Sequence, residues 1–257
     1  MASPKAAYEG LSSALPEPIK IGSAIDLTNP TITAAIKNNV KRFIYASSSS
    51  VYGIKKEKNV HEDLKLEPLT DYSKFKAECE KILIQYSTKE FNGIIIRPAT
   101  VCGFSPRQRL DVVVNILTNL AYHKREISVF GGEQLRPNIH ILDMARAYEY
   151  LINAPIEKVS GQVFNAGYEN QTVNNLAELV KKVLGGDISI KKVKSDDNRS
   201  YHISSEKIKK ILNFSTQKTI EDAIRDLKDA FDQKKLSETL TNENYFNIKK
   251  MNNINLK

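Results

Sequence analysis

The sequence predicts an α/β fold in which buried parallel strands alternate with helices. The runs Phe43–Tyr45 and Ile94–Ile96 are continuously apolar, and most of their residues are β-branched or aromatic. Such runs are typical of strands that are buried on both faces, as in a parallel sheet. Between them, residues from about Asp71 to Tyr86 carry apolar side chains at helical spacing. A helix between two buried strands favours a parallel crossover connection.

The bulk properties are those of a globular protein. The 257 residues could bury a sizeable core, as one large domain or two small ones. With 41% hydrophobic and 26% charged residues, the composition is ordinary. No apolar run reaches the ~18 residues that a membrane span needs, and the start, MASPKAAYEG, lacks the basic and apolar segments of a signal peptide. We therefore expect a cytoplasmic protein without a membrane segment.

The cysteines and the net charge narrow the classes of ligand. Cys79 and Cys102 stand at no metal-ligand spacing, so we expect no metal site, no disulfide and a reducing compartment. The net charge of +8 fits either nucleic acid or an anionic ligand. Because the lysines are scattered among acidic residues rather than grouped with aromatic ones, nucleic acid is not expected. A phosphate-bearing small ligand is favoured.

The first predicted helix and strand lead to the most informative stretch of the chain. Asn29 and Pro30 predict a helix start, since proline suits the first helical turn, and the helix should end near Asn39. The strand that follows opens into four consecutive serines, Ser47–Ser50. The apolar stripe of the helix consists of Ile32, Ala35, Ile36 and Val40.

Tyr72 and Lys76 follow the serines on the next predicted helix. Their i, i+4 spacing places them on one helix face. A tyrosine with its ordinary pKa of about 10 is a poor base at neutral pH, but an ammonium group one turn away favours the phenolate. A serine hydroxyl can both donate to and accept from a substrate oxygen. Together, these groups could take a proton from a secondary alcohol while a hydride leaves its carbon.

A plainer interpretation of the same residues is available. Tyr72 and Lys76 could be ordinary residues of a helix surface, because Y-x-x-x-K spacing by itself is a weak signal. The serine-rich strand end that precedes them at a suitable distance makes the catalytic interpretation the stronger one.

Five motifs, in order, resemble the extended short-chain dehydrogenase/reductase family, in particular its UDP-glucose 4-epimerase-like nucleotide-sugar epimerases and dehydratases. They are SSSSVYG, YSKFK, RPATVCGFSP, VFGGEQLRPNIHILDMARA and GQVFNAG, and the resemblance spans roughly residues 31–232. It implies the C-terminal part of a Rossmann-type doubly wound parallel sheet joined to a small α/β substrate lobe. It also implies NAD as cofactor, a nucleoside-diphosphate sugar as substrate, and a homodimer or a partner chain.

The resemblance assigns roles to individual residues. Tyr72 would be the base, Ser48 its hydroxyl partner, and Lys76 the residue that tunes the tyrosine. Tyr72 and Lys76 would also contact the cofactor, with Pro98 beside the nicotinamide. Arg136 would bind the diphosphate, because an arginine fork engages two oxygens at once. The other implied substrate contacts are Ser49, Ser50, Arg107, Arg109, Asn115, Asp197 and Arg199.

Three positions depart from patterns seen in the family. In the dehydratase branch, an aspartate and a glutamate follow the position of Ser48 and expel water from the sugar, whereas this chain has Ser49 and Ser50. The resemblance therefore favours 4-epimerisation over dehydration. Cys102 stands where the family often has tyrosine, which affects a local contact and not the fold.

A glycine-rich turn is missing from the sequence. In the family, G-x-x-G-x-x-G lets the backbone approach the dinucleotide pyrophosphate at a helix N-terminus. No such spacing occurs here, and only Gly10 and Gly22 precede the serine strand. The family also places several βα units before that strand. The chain therefore looks N-terminally truncated relative to the family, and residues 1–28 are predicted to be irregular.

The C-terminal part is predicted to build the small lobe. Asp143 should be the N-cap of a helix over Met144–Ile152, and Thr172 should cap a helix that Gly185 ends. His140 is expected to be structural. The predicted segments are a partial NAD-binding domain over 29–160 with a crossing strand region at 161–170, a nucleotide-sugar lobe over 171–235 and a weakly structured tail over 236–257.

Three functions stay open at this point. The first is an NAD-dependent epimerase, acting alone or completed by another chain. The second is a non-catalytic fragment that keeps the nucleotide-sugar lobe but not the cofactor, and the third, least favoured, is a basic interaction module. We expect the hydroxyl of Tyr72, the amine of Lys76 and the hydroxyl of Ser48 to face one cleft. We also expect the chain by itself neither to retain NAD nor to turn over.

Overall fold

The computed structural model of the protein describes residues 24–194 and 202–254. Most of the predicted irregular segment 1–28 lies outside these residues, as do Asp197 and Arg199. The helices are α1 (Ala24–Lys37), α2 (Asp71–Tyr86), α3 (Val113–Lys124), α4 (Ile141–Asn153), α5 (Ile156–Val159), α6 (Val173–Leu184), α7 (Glu206–Leu212), α8 (Ile220–Asp232) and α9 (Asn247–Asn253). The strands are β1 (Arg42–Ala46), β2 (Asn92–Pro98), β3 (Thr100–Cys102), β4 (Glu126–Phe130), β5 (Leu135–His140), β6 (Val163–Ala166), β7 (Glu169–Thr172) and β8 (Ser189–Val193), with 3-10 turns at Ser49–Tyr52 and Glu243–Tyr245.

The described residues form two compact units. The first unit takes in residues 24–99, Arg146–Ala166 and Ile203–Ser215, and the second takes in Thr100–Ala145, 167–194 with 202, and 216–254. The division falls within α4. Each unit therefore collects separate stretches of chain, whereas the segments predicted from the sequence follow chain order.

The first unit is built on a parallel sheet with the strand order β1-β2-β6. The residues Ile94–Ile96 of the central strand are completely buried, which confirms the predicted parallel strand. Helix α2 has the bounds that the sequence predicts, and it packs against α1. Ile32 of α1, Leu83 of α2 and Ile95 of β2 share one apolar core, as layered α/β folds require.

The second unit contains two small sheets. Strand β5 pairs with β3 in parallel and with β7 in antiparallel orientation, and β4 pairs with β8 in parallel. Helices α3, α6 and α8 bury their apolar faces in a common core with β4. Thr172 caps α6 and Gly185 ends it, as predicted. The α/β class is confirmed for the described part of the chain, and none of its helices is long and apolar enough to cross a membrane.

The first helix begins earlier than predicted. Proline removes one backbone donor and crowds the turn before it, so the sequence favours a start at Pro30. The helix instead starts at Ala24 and continues through Pro30. Packing against α2, with Ile32 completely buried, stabilises the helix on the C-terminal side of the proline.

Asp143 is not the N-cap that the sequence predicts. Helix α4 begins at Ile141, so Asp143 lies in its first turn, where its side chain is buried. Its carboxylate accepts hydrogen bonds from the backbone N–H groups of Gln217, at 3.0 Å to each oxygen, and of Lys218, at 2.8 Å. The residue caps a distant loop rather than its own helix.

The predicted weak tail contains ordered structure. Leu236 and Tyr245 pack against a small core formed by Leu110, Leu227 and Phe231. The backbone N–H of Leu110 donates to the carbonyl of Tyr245 at 2.9 Å. These contacts are made to residues far away in sequence, so the composition of the tail alone did not indicate them.

Candidate active site

The serine turn is the short segment Ser47–Tyr52 that follows β1. Ser48 is the N-cap of the 3-10 turn, where its Oγ accepts from the N–H of Ser50 at 3.1 Å and lies 2.9 Å from the Ser50 Oγ. Ser49 is buried, while Ser48 and Ser50 are half-buried. The buried Ser47 Oγ has no hydrogen-bond partner within the described part of the chain. Buried hydroxyls are normally paired, so this oxygen is an exception within the turn.

Helix α2 carries Tyr72 and Lys76. A capping box between Thr70 and Ser73 fixes its start: Thr70 Oγ1 accepts from the Ser73 N–H at 3.3 Å, and the Ser73 Oγ accepts from the Thr70 N–H at 3.0 Å. The side chain of Tyr72 is 58% exposed and therefore not part of the hydrophobic core.

Lys76 joins this helix to the end of the serine strand. Its Nζ donates to the carbonyl oxygen of Ala46 at 2.7 Å. The same nitrogen lies 5.7 Å from the ring centroid of Tyr72 and 4.9 Å from that of Tyr45. Burial lowers the pKa of Lys76 below its usual range. The structure thus places Tyr72 and Lys76 beside the strand end from which Ser48 follows two residues later.

A buried arginine joins helix α2 to the serine turn, and sequence reasoning did not select it as a site residue. Arg97, near the end of β2, is completely buried. Its Nε lies 3.0 and 3.2 Å from the two carboxylate oxygens of Glu80 on α2, and its Nη2 lies 2.6 Å from Glu80 Oε2. Its Nη1 donates to the Tyr52 Oη at 2.8 Å. The sequence did contain a signal for this buried pair. Arg97 is a charged residue at the end of an apolar strand, and Glu80 stands among apolar positions of helix α2.

Asn165 of β6 extends this buried network. Its Oδ1 accepts from the Tyr52 Oη at 2.7 Å, and its backbone N–H donates to Glu62 Oε1 at 2.7 Å. Its Nδ2 donates to the carbonyls of Val60 and Ser204, each at 3.1 Å. Burial raises the pKa of Glu62 above its ordinary range and also raises the pKa of Tyr52.

The second unit holds four of the residues assigned to the substrate. Arg107 and Arg109 are exposed on the loop before α3, where Arg109 Nε donates to Asp111 Oδ1 at 2.9 Å. Asn115 is buried and holds that loop: its Oδ1 accepts from the Gly103 N–H at 3.0 Å and its Nδ2 donates to the Arg109 carbonyl at 2.8 Å. Arg136, on β5, is half-buried. The structure places Asn115 in contact with Arg109. The substrate contacts of Arg107, Arg109, Asn115 and Arg136 stay predictions.

His140 has both ring nitrogens engaged within the second unit. Its Nδ1 accepts from the Leu142 N–H at 3.1 Å, so the other nitrogen, Nε2, carries the proton and donates to Asp226 Oδ2 at 3.1 Å. These two contacts hold the imidazole in place, and the structural role expected for His140 stays a prediction. Cys102 is also buried, and burial raises the pKa of its thiol to about 12. Among the described residues no cluster of His, Cys, Asp and Glu could hold a metal ion.

The residues present fit one end of NAD. Ser48, Tyr72 and Lys76 supply the hydroxyl, phenol and ammonium groups that a nicotinamide ribose and a reacting sugar carbon require, and Pro98 ends the neighbouring strand β2. No G-x-x-G-x-x-G spacing occurs in the sequence to cradle the pyrophosphate.

A parallel sheet whose first strand ends in serines, followed by a helix with tyrosine and lysine one turn apart, defines a short-chain dehydrogenase/reductase type of site. The chain belongs to the NAD dependent epimerase/dehydratase family, which it matches over residues 6–167. The match begins well before the motifs that carry the resemblance in sequence.

Several relatives agree with this assignment. The chain is 28% identical over 201 residues to an uncharacterised UDP-glucose epimerase, YtcB, of Bacillus subtilis, covering 75% of this chain and 61% of the relative. It is 27% identical over 160 residues to human dTDP-D-glucose 4,6-dehydratase, covering 61% and 44%. The chain thus spans between about two fifths and three fifths of the length of these curated relatives.

Solved structures of related enzymes have the same fold. UDP-glucuronic acid 4-epimerase from Bacillus cereus, in complex with UDP-glucuronic acid and NAD, is 25% identical with a TM-score of 0.73, covering 82% of this chain and 67% of that one. A dTDP-glucose 4,6-dehydratase from Bacillus anthracis in complex with NAD, 22% identical with a TM-score of 0.71, shows the fold alone; it covers 86% and 69%. The Rossmann-like α/β fold is therefore confirmed.

Proposed function

We propose that the chain carries the acid/base site of an NAD-dependent nucleotide-sugar 4-epimerase. One observation carries this proposal: Lys76 Nζ lies 2.7 Å from the Ala46 carbonyl at the end of the serine strand and 5.7 Å from the Tyr72 ring. The amine of Lys76 is thus near both the end of the serine strand and the Tyr72 ring, which supports the proposal. When bound, NAD would accept the hydride from the sugar carbon and return it.

The side chains divide the proton chemistry among them. Tyr72 is exposed, so its hydroxyl could reach the sugar hydroxyl and take its proton. The ammonium of Lys76, held one turn away, would stabilise the negative charge that develops on the phenol oxygen. The half-buried Ser48 hydroxyl would bind the same sugar oxygen, with Ser50 Oγ positioned to support it.

The serine turn also supports epimerisation over dehydration. Expelling water from the sugar needs an acid and a base near the adjacent carbon. The positions after Ser48 are the hydroxyl residues Ser49 and Ser50, and neither can serve as a carboxylic acid or carboxylate.

For the nucleotide we propose a diphosphate site supplied by arginines. Arg136 and Arg199 would bind the phosphates through charge-assisted contacts, and Asp197 would bind the ribose. Arg107 and Arg109 would face the substrate from the loop that Asn115 holds in place. UDP or dTDP sugars are the candidate ligands, and a cytoplasmic homodimer, or completion by a partner chain, is the proposed setting.

A second function is favoured by one specific observation. The sequence lacks the glycine turn that would hold the pyrophosphate of NAD. The contact of Lys76 with a ribose would not by itself hold a dinucleotide against the entropy lost on binding. The alternative is therefore a non-catalytic or partner-completed fragment that binds a nucleotide sugar without turning it over.

Assaying the purified chain with added NAD and a UDP or dTDP sugar, with epimer formation followed by NMR, tests the proposal. Tyr72→Phe should lower the rate on the order of 10²–10⁴-fold, because the proton acceptor is removed. Tyr86→Phe, at the far end of the same helix, is the matched control and should leave the rate unchanged. Calorimetric binding of UDP without turnover by the wild type would instead favour the fragment.

A further inference from the structure

We propose that Arg97 is a positioning residue whose guanidinium sets both elements of the proposed active site, the serine turn and helix α2. The inference rests on the proposed function for its catalytic meaning. Arg97 is completely buried, and its hydrogen bonds reach both elements that carry the proposed reacting groups. From the sequence, the family resemblance placed the strand end from Arg97 to Cys102 beside the nicotinamide and gave Arg97 no positioning role.

The first tether runs from Arg97 to helix α2. Glu80 lies one turn beyond Lys76 and two turns beyond Tyr72, so the three side chains share a helix face. Neither Arg97 nor Glu80 has exposed side-chain surface, and the guanidinium approaches both carboxylate oxygens. A fork-like contact of this kind constrains angle as well as distance. It therefore resists rotation of α2 about its axis and sliding along it.

The second tether runs to the serine turn. Tyr52 is the last residue of the 3-10 turn that Ser48 caps. Its Oη accepts from Arg97 Nη1 at 2.8 Å and donates to Asn165 Oδ1 at 2.7 Å, and the guanidinium carbon lies 4.9 Å from the ring centroid. The turn is thereby fixed to β2 and β6 at the same time.

The cost of burying the Arg97–Glu80 ion pair indicates that the pair fixes the positions of α2 and the serine turn rather than adding stability. A buried ion pair is expensive to desolvate and can often be exchanged for apolar side chains without loss of stability. An apolar core at this place would fill the space but would not fix α2 and the serine turn in one register. A single arginine bonded to both does so.

Local hydrogen exchange in four variants tests the inference. The amides of Ser50, Val51 and Gly53 are bonded within the serine turn, while the Ile95 amide is bonded within the sheet and serves as reference. In Arg97→Lys, and in the double variant R97M/E80L, exchange of the turn amides relative to Ile95 should rise about tenfold, as each loses a constraint. R97M alone shows how far an uncompensated Glu80 disturbs folding.

Leu83→Ala is the matched control, since Leu83 is a buried apolar residue of α2 whose side chain cannot take part in the hydrogen-bonded network. It should accelerate exchange throughout the first unit without changing the ratio of the turn-amide exchange rates to the Ile95 rate. If Arg97 were merely structural, R97M/E80L would have both the stability of the wild type and its ratio of turn-amide exchange to Ile95 exchange. A wild-type ratio in R97M/E80L would therefore overturn the proposal.

Turnover provides the second readout and separates the two levels of inference. If the wild type is active, R97M/E80L should lower kcat on the order of a hundredfold with KM little changed, because reacting groups are displaced rather than binding groups lost. A folded double variant with wild-type kcat would refute positioning. If the purified chain alone is inactive, the proposal that it is an epimerase acting alone fails, and the exchange ratio alone decides whether Arg97 holds the two elements.

Discussion

Replacing Glu80 with leucine should strongly destabilise the first unit. The substitution leaves Arg97 fully buried with Tyr52 and the Glu62 carbonyl still near Nη1, but it removes the carboxylate from Nε and Nη2. An uncompensated buried charge costs about 3–5 kcal/mol when its partner is removed. That is a large share of the ~5–15 kcal/mol that stabilises a domain.

Urea unfolding is the appropriate measurement. With a denaturant slope of ~2–3 kcal/mol/M, a loss of about 3–5 kcal/mol lowers the midpoint by about 1–2.5 M. Far-UV circular dichroism and the fluorescence of the 11 tyrosines can follow the transition, since the sequence contains no tryptophan. Adding R97M to E80L should recover most of the loss, because neither member of the buried pair is then left without the other.

Glu78→Leu is the matched control on the same helix. Glu78 forms a partly exposed ion pair with Lys81 at 3.4 Å, and such pairs contribute less than about 1 kcal/mol. A midpoint for Glu80→Leu no lower than that for Glu78→Leu would refute the assignment of a buried, charge-compensating role to Glu80.

Three further predictions concern other parts of the chain. Burial raises the pKa of Glu62, so the folded state favours its protonated form, and the resulting stability is lost as pH rises above the ordinary value of 4.5. Glu62→Gln should therefore gain urea stability relative to wild type between pH 5 and pH 8, and a constant difference would contradict this. Thr219→Ala removes the capping box of α8 and should cost about 1 kcal/mol in thermal or urea unfolding, whereas no loss would show that the cap is not formed in solution. Arg136→Ala should weaken UDP binding about 10–100-fold in calorimetry, with the exposed Arg225→Ala as control; unchanged affinity would remove Arg136 from the site.

Local patterns in the sequence predicted much of the fold and the identity of the candidate site. The continuous apolar run Ile94–Ile96 predicted the buried parallel strand, and helix α2 has the predicted bounds because Thr70 and the apolar spacing mark it locally. The serines before Tyr72 and Lys76 predicted the family, which the match over residues 6–167 confirms. Such features depend on residues a few positions apart, so they can be predicted from the sequence without the tertiary structure.

Tertiary structure decided how those residues are held. Lys76 reaches a carbonyl 30 residues away, and Arg97 joins side chains 17 and 45 residues away in sequence. Asp143 caps a loop 74 residues further on instead of its own helix. No local periodicity encodes such pairs, since a buried polar group takes whichever partner packing brings within hydrogen-bond distance. The sequence determined which groups could do the chemistry, and the packing of β2, β6 and α2 determined what holds them in place.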